Sequence, residues 1–489
     1  MKRTARTAVC ILGLAAAAVP LGSCATNPAT GESQLSLIGQ GREIEIGRQG
    51  AEQVRQTIGV YRDSALEAYV AGVGQSLAKV SERPDLPWSY QVVDEPVVNA
   101  FALPGGFIFV TRGILPYLEN EAQLAIIMGH ETGHVTARHS VEQMSRQELA
   151  QIGLGLGSIF VKPIQQYGQL FGAGLQVLFL KYSRDDENQA DGLGIRYAVK
   201  DGYDPYQAIG VFQMLDRQSE AAGGSGVPSW LATHPAPADR VEHIRQQIDT
   251  LPPSERSGRV ARDAYLRHID GIVFGSDPRD GFFRGGLFLH PNLAFRIQFP
   301  DGWKTQNMPA AVAAQSPDQD AILELTLADS AGSREAAARA FFSSQGMQAS
   351  RVSSTTIHGF PATTGLFTVS TQQGQLEGEA AFIDYGGHVY RILGYTTAGS
   401  LSRYRSTFES TIGSFDRLTD SSALNVKPMR VQVYTPDHAT TIAQLARTKA
   451  SPVDVQTLAI MNQMQADDQI PAGRTIKWVT GQKPPGSGS

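Results

Sequence analysis

The sequence predicts an α+β chain of three folded units: a mainly helical domain with a small sheet at 42–250, a small α+β domain at 287–418, and a strand–helix–helix–strand unit at 424–480. Three observations predict this arrangement. Apolar residues recur at helical spacing in the first unit, alternating strand-like runs dominate the second, and two strand-like runs enclose two helical ones in the third. The length of 489 residues agrees with about three domains of roughly 150 residues each.

The composition excludes two broad classes of protein. Lys and Arg together number 42 against 47 Asp and Glu, and the resulting net charge of −5 argues against a general nucleic-acid binder. The mean hydropathy is −0.18, and only the first residues form a run apolar enough to enter a membrane. A polytopic membrane protein is therefore excluded.

Residues 1–23 have the pattern of a secretory signal peptide. A cationic start precedes an apolar run at 8–19, which is shorter than the roughly 20 residues that a permanent span needs. The run ends in Leu21-Gly22-Ser23-Cys24, which resembles the lipobox of bacterial lipoproteins. Cys24 would be the only cysteine left after cleavage, so we expect no disulfide and a lipid on Cys24. An ordinary secretory signal beside an incidental cysteine is the alternative.

The lipobox resemblance also implies a location. The residue after Cys24 is Ala25 rather than the Asp that retains such lipoproteins at the inner membrane. This implies the periplasmic face of a bacterial outer membrane. Residues 24–41 are predicted to be a flexible tether.

The first folded unit contains clear helical and strand-like segments. Leu66, Val70, Val73 and Leu77 predict a helix over Ser64–Val80. Two strands are predicted at Tyr90–Val93 and Phe107–Val110, and a long helix at Glu121–His139. Residues 251–286 are rich in Pro, Gly, Asp and Arg and are predicted to be a linker.

The predicted long helix carries His130-Glu131-Thr132-Gly133-His134. Residues four apart lie on one face of a helix, so His130 and His134 can bind one metal ion. Glu131 lies about 100° further round the helix and can reach a water held by that ion without being a ligand.

A catalytic zinc normally has three protein ligands, so one more is needed. The best candidate is Glu187, 53 residues beyond His134, in the run Glu187-Asn188-Gln189-Ala190-Asp191. Asp191 lies on the same helical face as Glu187 and can orient a ligand histidine.

These motifs together resemble the zinc metallopeptidase family of HtpX, BepA and the CAAX prenyl protease. The resemblance covers about residues 42–250 and rests on His130–His134 with Arg138-His139, Tyr182-Ser183-Arg184 before Glu187–Asp191, Asn99–Gly106, and Thr233-His234-Pro235 with Asp239-Arg240. It implies a gluzincin-type zinc endopeptidase acting on misfolded or membrane-associated proteins. His130, His134 and Glu187 would bind the zinc, and Glu131 would be the general base.

The roles of the other residues of these motifs are less specific. Asn99 and Ala100 can offer backbone groups to an extended substrate, or simply precede a strand. His234 can stabilise an oxyanion, occupy the fourth zinc position at rest, or cap a loop. Arg240 can orient substrate or start a helix with salt bridges. His139 is predicted to pack or hydrogen-bond locally rather than bind metal.

Residues 149–180 separate the two metal motifs and are apolar but interrupted by Gly and Pro163. They are predicted to be a lid over the cleft or a buried helical pair rather than a membrane span.

The second unit, 287–418, carries no recognisable catalytic motif. Alternating residues predict strands at Phe295–Phe299 and Leu323–Leu327, and Gly386-Gly387 predicts a hairpin between Phe382–Tyr385 and His388–Leu393. Helices are predicted at Ser333–Gln345 and Ser402–Ile412. The run Phe295–Trp303 is faintly similar to Mog1/PsbP-type domains.

The third unit resembles a LysM module. Residues at the expected positions are Asp437, Ile442, Ala443, Leu458, Asn462, Ile470, Gly473 and Ile476. The usual Gly-Asp-Thr-Leu run is replaced by Pro436-Asp437-His438-Ala439, so peptidoglycan binding and a structural or protein-docking role are both open. Residues 481–489 are predicted to be a disordered tail.

The sequence therefore predicts a lipid-anchored outer-membrane zinc endopeptidase, with one zinc ion, that cleaves misassembled envelope proteins. Its expected partners are protein substrates, the membrane through Cys24, and peptidoglycan or envelope assembly machinery, but no nucleic acid. The alternative is a chaperone or peptidoglycan-binding lipoprotein with a vestigial metal site.

Overall fold

The structure is a computed structural model that describes residues 24–153, 182–221, 230, 234, 239–371 and 374–483. The predicted signal peptide, most of the predicted lid at 149–180, and the last six residues of the tail lie outside this set. Within the described residues, no helix combines the length and hydrophobicity needed to cross a membrane.

The first unit is helical with a small sheet, as the sequence predicts. A hairpin of β1 (Cys24–Thr26) and β2 (Ser33–Leu35) precedes α1 (Gln40–Thr57) and α2 (Ser64–Val80). The predicted helix bounds at 64–80 are confirmed. The helix starts at Ser64 because Asp63 caps the first turn by accepting a hydrogen bond from the Leu66 backbone N–H at 3.0 Å. The sheet consists of β3 (Ser89–Val93), β4 (Ala100–Leu103) and β5 (Phe107–Thr111) in the order β3-β5-β4. Strand β4 was not predicted from the sequence.

The central helix α3 (Glu121–Thr136) is buried along almost its whole length. Asn120 caps its start by accepting from the Gln123 N–H at 2.9 Å. The prediction that this helix extends to His139 is wrong by three residues. Arg138 adopts a left-handed conformation, φ 60°, which ends the helix, and a separate helix, α4 (His139–Gly153), follows.

Further helices surround α3. They are α5 (Arg184–Lys200), α6 (Gln207–Ala221), α7 (Arg240–Thr250) and α8 (Arg262–Ile269). Helix α8 lies in the predicted linker, so the linker prediction is wrong. Its residues Tyr265, Leu266 and Ile269 are buried in the main hydrophobic core, and this burial holds the segment in place.

The N-terminal segment also differs from the prediction of a flexible tether. The Leu37 N–H donates to Ser145 Oγ at 3.0 Å, and the Arg138 guanidinium donates to the Ile38 carbonyl at 2.6 Å. Asn27 and Gln34 are buried at 5% exposure each. The segment is therefore packed on the helical domain.

The second unit is built on antiparallel sheets with a separate core. The elements are β6 (Phe282–Arg284), β7 (Leu287–His290), β8 (Phe295–Gln298), β9 (Lys304–Met308), β10 (Ala311–Gln315), β11 (Ala321–Leu327), α9 (Arg334–Phe342), β12 (Met347–Ile357), β13 (Phe360–Thr371), β14 (Gly374–Tyr385), β15 (His388–Thr397), α10 (Leu401–Gly413), β16 (Asp416–Arg417) and α11 (Ser421–Leu424). One sheet has the order β16-β8-β7-β6 and the other β12-β13-β14-β15-β11-β10-β9. Strands β14 and β15 meet at the predicted two-residue Gly386-Gly387 turn, with Tyr385 opposite His388.

The third unit has the predicted order of elements: β17 (Arg430–Tyr434), α12 (Ile442–Thr448), α13 (Val455–Met461) and β18 (Ile476–Thr480). It shares one continuous core with the helical domain. The buried Lys477 ammonium pairs with Glu119 at 2.8 Å and donates to the Leu118 carbonyl at 2.6 Å. The strand–helix–helix–strand order is confirmed, whereas LysM identity stays a prediction.

Candidate metal centre

His130 and His134 project from one face of α3, and both are buried. Their Nε2 atoms are 3.0 Å apart. Four side chains, namely His130, His134, Glu187 and His234, each offer a ligand atom, and these atoms all lie within 4.8 Å of one another. The spacing of the two histidines on a helix thus produces the convergence expected of metal ligands.

Glu187 joins this group from the first turn of α5. A capping box fixes the start of α5, because Ser183 and Asp186 each hydrogen-bond the other's backbone N–H. The Glu187 Oε2 atom is 3.6 Å from His130 Nε2, and its Oε1 atom is 3.5 Å from His134 Nε2. The structure therefore brings the predicted third ligand to the histidine pair.

Asp191 lies one turn further along α5 and contacts the outer nitrogen of His130. The distance from His130 Nδ1 to Asp191 Oδ1 is 2.8 Å. The Arg240 guanidinium and the His130 contact hold the pKa of Asp191 below its usual value despite burial, which by itself raises it. Because an ionised carboxylate only accepts, His130 carries its hydrogen on Nδ1 and turns the Nε2 lone pair inward.

Arg240 is buried at the start of α7. Its Nε and Nη2 atoms donate to Asp191 at 2.8 and 2.6 Å, and Nη2 is 3.5 Å from Glu187 Oε2. The guanidinium also lies over the rings of Phe212 and Trp230 at 4.1 and 4.7 Å. Arg240 thus holds the carboxylates of the centre, which is the salt-bridge interpretation from the sequence, while contact with substrate stays a prediction.

Glu131 is fully buried, and burial raises its pKa to about 7. Its Oε1 atom is 3.4 Å from Trp230 Nε1 and 3.6 Å from His234 Nε2. Its Oε2 atom has no hydrogen-bond partner among the residues that the structure describes. One carboxylate oxygen is therefore positioned by neighbours and the other is free to accept a proton.

His234 lies inside the cluster rather than at its edge. Its Nδ1 atom is 3.0 Å from Glu187 Oε1 and 3.4 Å from His130 Nε2. Burial lowers its pKa to about 4, so the ring is neutral at pH 7. Its ring stacks on Trp230 at 4.6 Å. Thr233 and Pro235, which flank it in the sequence motif, lie outside the described residues.

The donor set fits a zinc ion. Imidazole nitrogens and carboxylate oxygens are its usual ligands, and three of these residues are histidines. Burial raises the pKa of Glu187 to about 8. A bound cation would stabilise the ionised Glu187 carboxylate and so offset the free-energy cost of burying its charge.

Two of the predicted substrate residues, Asn99 and Ala100, lie at the start of β4, and Cys24 lies in the N-terminal hairpin. Ala100 begins β4, which is an edge strand of the small sheet. The Asn99 side chain accepts from the Ala100 N–H at 2.9 Å. Cys24 is the first residue of β1.

Three residues without a predicted role also contact the centre, namely Trp230, Tyr182 and Gln189. The Trp230 backbone N–H donates to the Val98 carbonyl at 3.2 Å, while its indole faces Glu131. The Tyr182 ring stacks on His134 at 3.9 Å, and Gln189 contacts His139. Tyr182 and Gln189 belong to the quoted motifs, but a lone Trp carries no spacing signal.

Comparison with known proteins agrees with this geometry. Residues 64–248 match the model of Peptidase family M48. The Beta-barrel assembly-enhancing protease of Escherichia coli K12 is 31% identical over 242 residues, which are 47% of this chain and 49% of that protein. The Mitochondrial metalloendopeptidase OMA1 of Schizosaccharomyces pombe is 30% identical over 227 residues, 45% of this chain and 64% of that protein. The chain thus spans about half the length of the bacterial relatives that it matches.

Solved structures add nothing to the assignment of the second unit. Cyanobacterial PsbP from Synechocystis aligns with 27% of this chain and 93% of that chain, at 14% identity and a TM-score of 0.22. This value is too low to support an argument, so the PsbP-like interpretation stays a prediction. The motifs, the converging ligands and the family match agree: residues 64–248 are similar to the metallopeptidase domains of Peptidase family M48, among them those of the beta-barrel assembly-enhancing proteases.

Proposed function

We propose that this protein is a membrane-anchored zinc endopeptidase that hydrolyses peptide bonds of envelope proteins as part of their quality control. One observation carries the proposal: three buried histidines and Glu187 converge within 4.8 Å, with Glu131 directly beside them. His130, His134 and Glu187 would hold the zinc. Zinc held there supplies Lewis-acid chemistry, because it lowers the pKa of water and polarises a carbonyl.

Glu131 is the general base of this proposal. Its unpartnered Oε2 atom accepts the proton of the attacking water, and the Trp230 indole N–H positions Oε1. The pKa near 7 suits a group that takes up a proton and then gives it to the leaving amine as the C–N bond breaks.

His234 has the position of a fourth ligand at rest. Its Nδ1 atom lies closer to Glu187 than the two α3 histidines do. A site with four protein ligands is closed, whereas catalysis needs an open position. If His234 held the zinc together with the other three residues, it would have to leave before substrate binds, and once displaced it would be free to stabilise the oxyanion.

The edge strand β4 supports a mode of substrate binding. An extended peptide can pair with an edge strand through main-chain hydrogen bonds. We assign this role to the backbone near Asn99 and Ala100, because β4 packs against α3, the helix that carries His130 and His134.

Cleavage of a loosely folded protein tests the proposal. Zinc-loaded protein should degrade casein, and Glu131→Gln should lower the rate at least about 100-fold without releasing zinc. Glu148→Gln, an exposed residue on α4, is the matched control and should cleave at the wild-type rate. Stoichiometric zinc without cleavage, both in the wild type and after His234→Ala has opened the site, would favour the chaperone alternative.

The anchor and the place of action belong to the proposal too. The sequence ending in Cys24 resembles a lipobox, and the printed name of the bacterial relatives refers to beta-barrel assembly. We infer a lipid on Cys24 and a position at the periplasmic face of the outer membrane. Labelling of wild type but not Cys24→Ala with a radioactive fatty acid, together with outer-membrane fractionation, tests both inferences.

Peptidoglycan binding by the third unit is a second candidate function. The loop that replaces the usual LysM run is open to solvent, with the side chains of Asp437 and His438 89% and 74% exposed. Since this unit shares its core with the helical domain, the test uses the whole chain. Sedimentation with purified peptidoglycan should be lost in Asp437→Ala/His438→Ala, and equal sedimentation of both proteins would exclude this loop.

A further inference from the structure

The two α3 histidines are held by different groups. His130 Nδ1 contacts a carboxylate, Asp191, as metal ligands commonly do. His134 Nδ1 instead contacts the Nδ1 atom of another histidine, His139, at 2.8 Å. A neutral imidazole can donate or accept at either nitrogen, so the position of its hydrogen must be set by something else.

The position of that hydrogen follows from Gln189. The His139 Nε2 atom is 2.9 Å from Gln189 Oε1 and 3.8 Å from Asp186 Oδ1. Both neighbours are oxygens of groups that only accept there, so the hydrogen of His139 lies on Nε2. His139 Nδ1 then carries a lone pair and accepts from His134 Nδ1–H. As a result, the Nε2 lone pair of His134 faces the other metal-binding atoms.

The orientation of Gln189 is in turn fixed by Asn27. Asn27 Oδ1 accepts from the backbone N–H groups of Ala29 and Thr30 at 2.9 and 3.3 Å, which turns the amide nitrogen outward. That nitrogen donates to Gln189 Oε1 at 3.2 Å. If Gln189 presented its NH₂ group instead, it would donate to His139, and the hydrogen of His134 would be forced onto Nε2, where it blocks metal binding.

Asn27 belongs to a segment that is held firmly. Besides the contacts of residues 36–38 with Arg138 and Ser145, the Arg196 guanidinium donates to the Ala29 carbonyl at 3.3 Å. Asn27 is three residues from Cys24 and is 5% exposed. The first residues after the lipobox therefore reach the interior of the domain.

We propose that the N-terminal hairpin, residues 24–35, is part of the metal centre: Asn27 orients Gln189, Gln189 sets the tautomer of His139, and His139 sets the tautomer of His134 that binds metal. Asn27, Gln189 and His139 are positioning residues. The effect on metal binding rests on the proposed zinc peptidase function, but the tautomers of His134 and His139 can be measured without metal.

Asn27→Asp tests this series of hydrogen bonds by replacing one heavy atom, the side-chain amide nitrogen, with an oxygen. The aspartate keeps the acceptor for Ala29 and Thr30 but presents an oxygen to Gln189, whose amide must then turn and donate. We expect the hydrogen of His134 to move from Nδ1 to Nε2 in metal-free protein, read from long-range ¹H–¹⁵N NMR spectra of ¹⁵N-histidine-labelled chain. We also expect zinc affinity, measured by competition with a chromophoric chelator, to fall about 10–100-fold.

Asn27→Ala is the matched control, since it removes the turn acceptor but leaves Gln189 free to keep its orientation. It should reduce zinc affinity less than Asn27→Asp does, at a similar urea midpoint. Unchanged tautomers and zinc affinity in Asn27→Asp would overturn the proposal. If the wild type showed the expected tautomers and their reversal in Asn27→Asp but cleaved no protein, the peptidase function would fail and this inference would stand.

Discussion

Two glycines of α5, Gly192 and Gly194, provide a test of how the metal centre is assembled. Gly194 lies where α5 crosses α3, and a Cβ atom there would be 2.8 Å from the His130 backbone nitrogen and 3.1 Å from the Gly129 carbonyl carbon. A Cβ on Gly192 would meet only the Gln247 side chain, at 3.5 Å. Gly194→Ala and Gly192→Ala therefore differ in the contact they create and little else.

The expected magnitudes follow from these distances. Replacing Gly by Ala inside a helix is worth up to about 1 kcal/mol, which Gly192→Ala should gain. In Gly194→Ala the backbones must separate by about 0.6 Å to reach an ordinary contact of 3.4 Å. Such overpacking costs about 1–3 kcal/mol, and it moves Glu187 away from His130 and His134. We expect kcat/KM to fall roughly 10–100-fold, because catalysis is sensitive to sub-ångström displacement.

Casein cleavage, chelator competition for zinc and urea unfolding measure the three effects. Gly192→Ala should match or exceed wild-type stability with unchanged zinc affinity and activity. Gly194→Ala should lose zinc affinity and activity at a modest cost in stability. Equal behaviour of the two variants would refute the argument that close approach of α3 and α5 positions the ligands.

Three further predictions concern other buried groups. Lys477→Met should destabilise the chain by about 3 kcal/mol, because Glu119 keeps only part of its charge compensation, whereas the exposed Lys427→Met should be neutral in the same urea titration. Asp191→Asn should weaken zinc binding about 10–100-fold in a chelator competition, since the amide no longer fixes the hydrogen of its histidine partner, and unaltered affinity would contradict this. Burial raises the pKa of Glu379 to about 7, so the folded state holds its proton more tightly than the unfolded state. The stability of the wild type relative to Glu379→Gln should therefore fall as the pH rises from about 4.5 to 7, and this relative stability should not change with pH below that window. A difference in urea midpoint between the two proteins that is the same at every pH would argue against the prediction.

Local pattern predicted the elements whose ends carry their own signals. The helix at Ser64–Val80 was predicted to the residue because its apolar spacing starts directly after a capping Asp63. The Gly386-Gly387 hairpin was equally well marked. The end of α3 was misplaced because the left-handed turn at Arg138 lies in a non-glycine residue, which gives no sequence signal.

Segments judged by composition were predicted less well. Residues 251–286 were interpreted as a linker from their Pro, Gly and charged residues, yet Tyr265 and Ile269 are core residues. Residues 24–41 were interpreted as a tether, although they are held by hydrogen bonds from α4 and α5, far along the chain. A loop-like composition does not reveal which distant surface a segment will cover.

The sequence by itself determined the chemistry of the metal centre: the histidine pair on one face of a helix, the carboxylate beside it, and the acidic residues one turn apart on a second helix. Helical geometry fixes such relations over four residues, so spacing is sufficient evidence for them. Only the tertiary structure decided how near Glu187 and His234 come to that pair, because this depends on the packing of α5 against α3 at Gly129 and Gly194. Which ring nitrogen of His134 carries the hydrogen likewise depends on Asn27, more than a hundred residues away in the sequence. The two residues are connected by three successive hydrogen bonds through Gln189 and His139, which only the tertiary structure brings together.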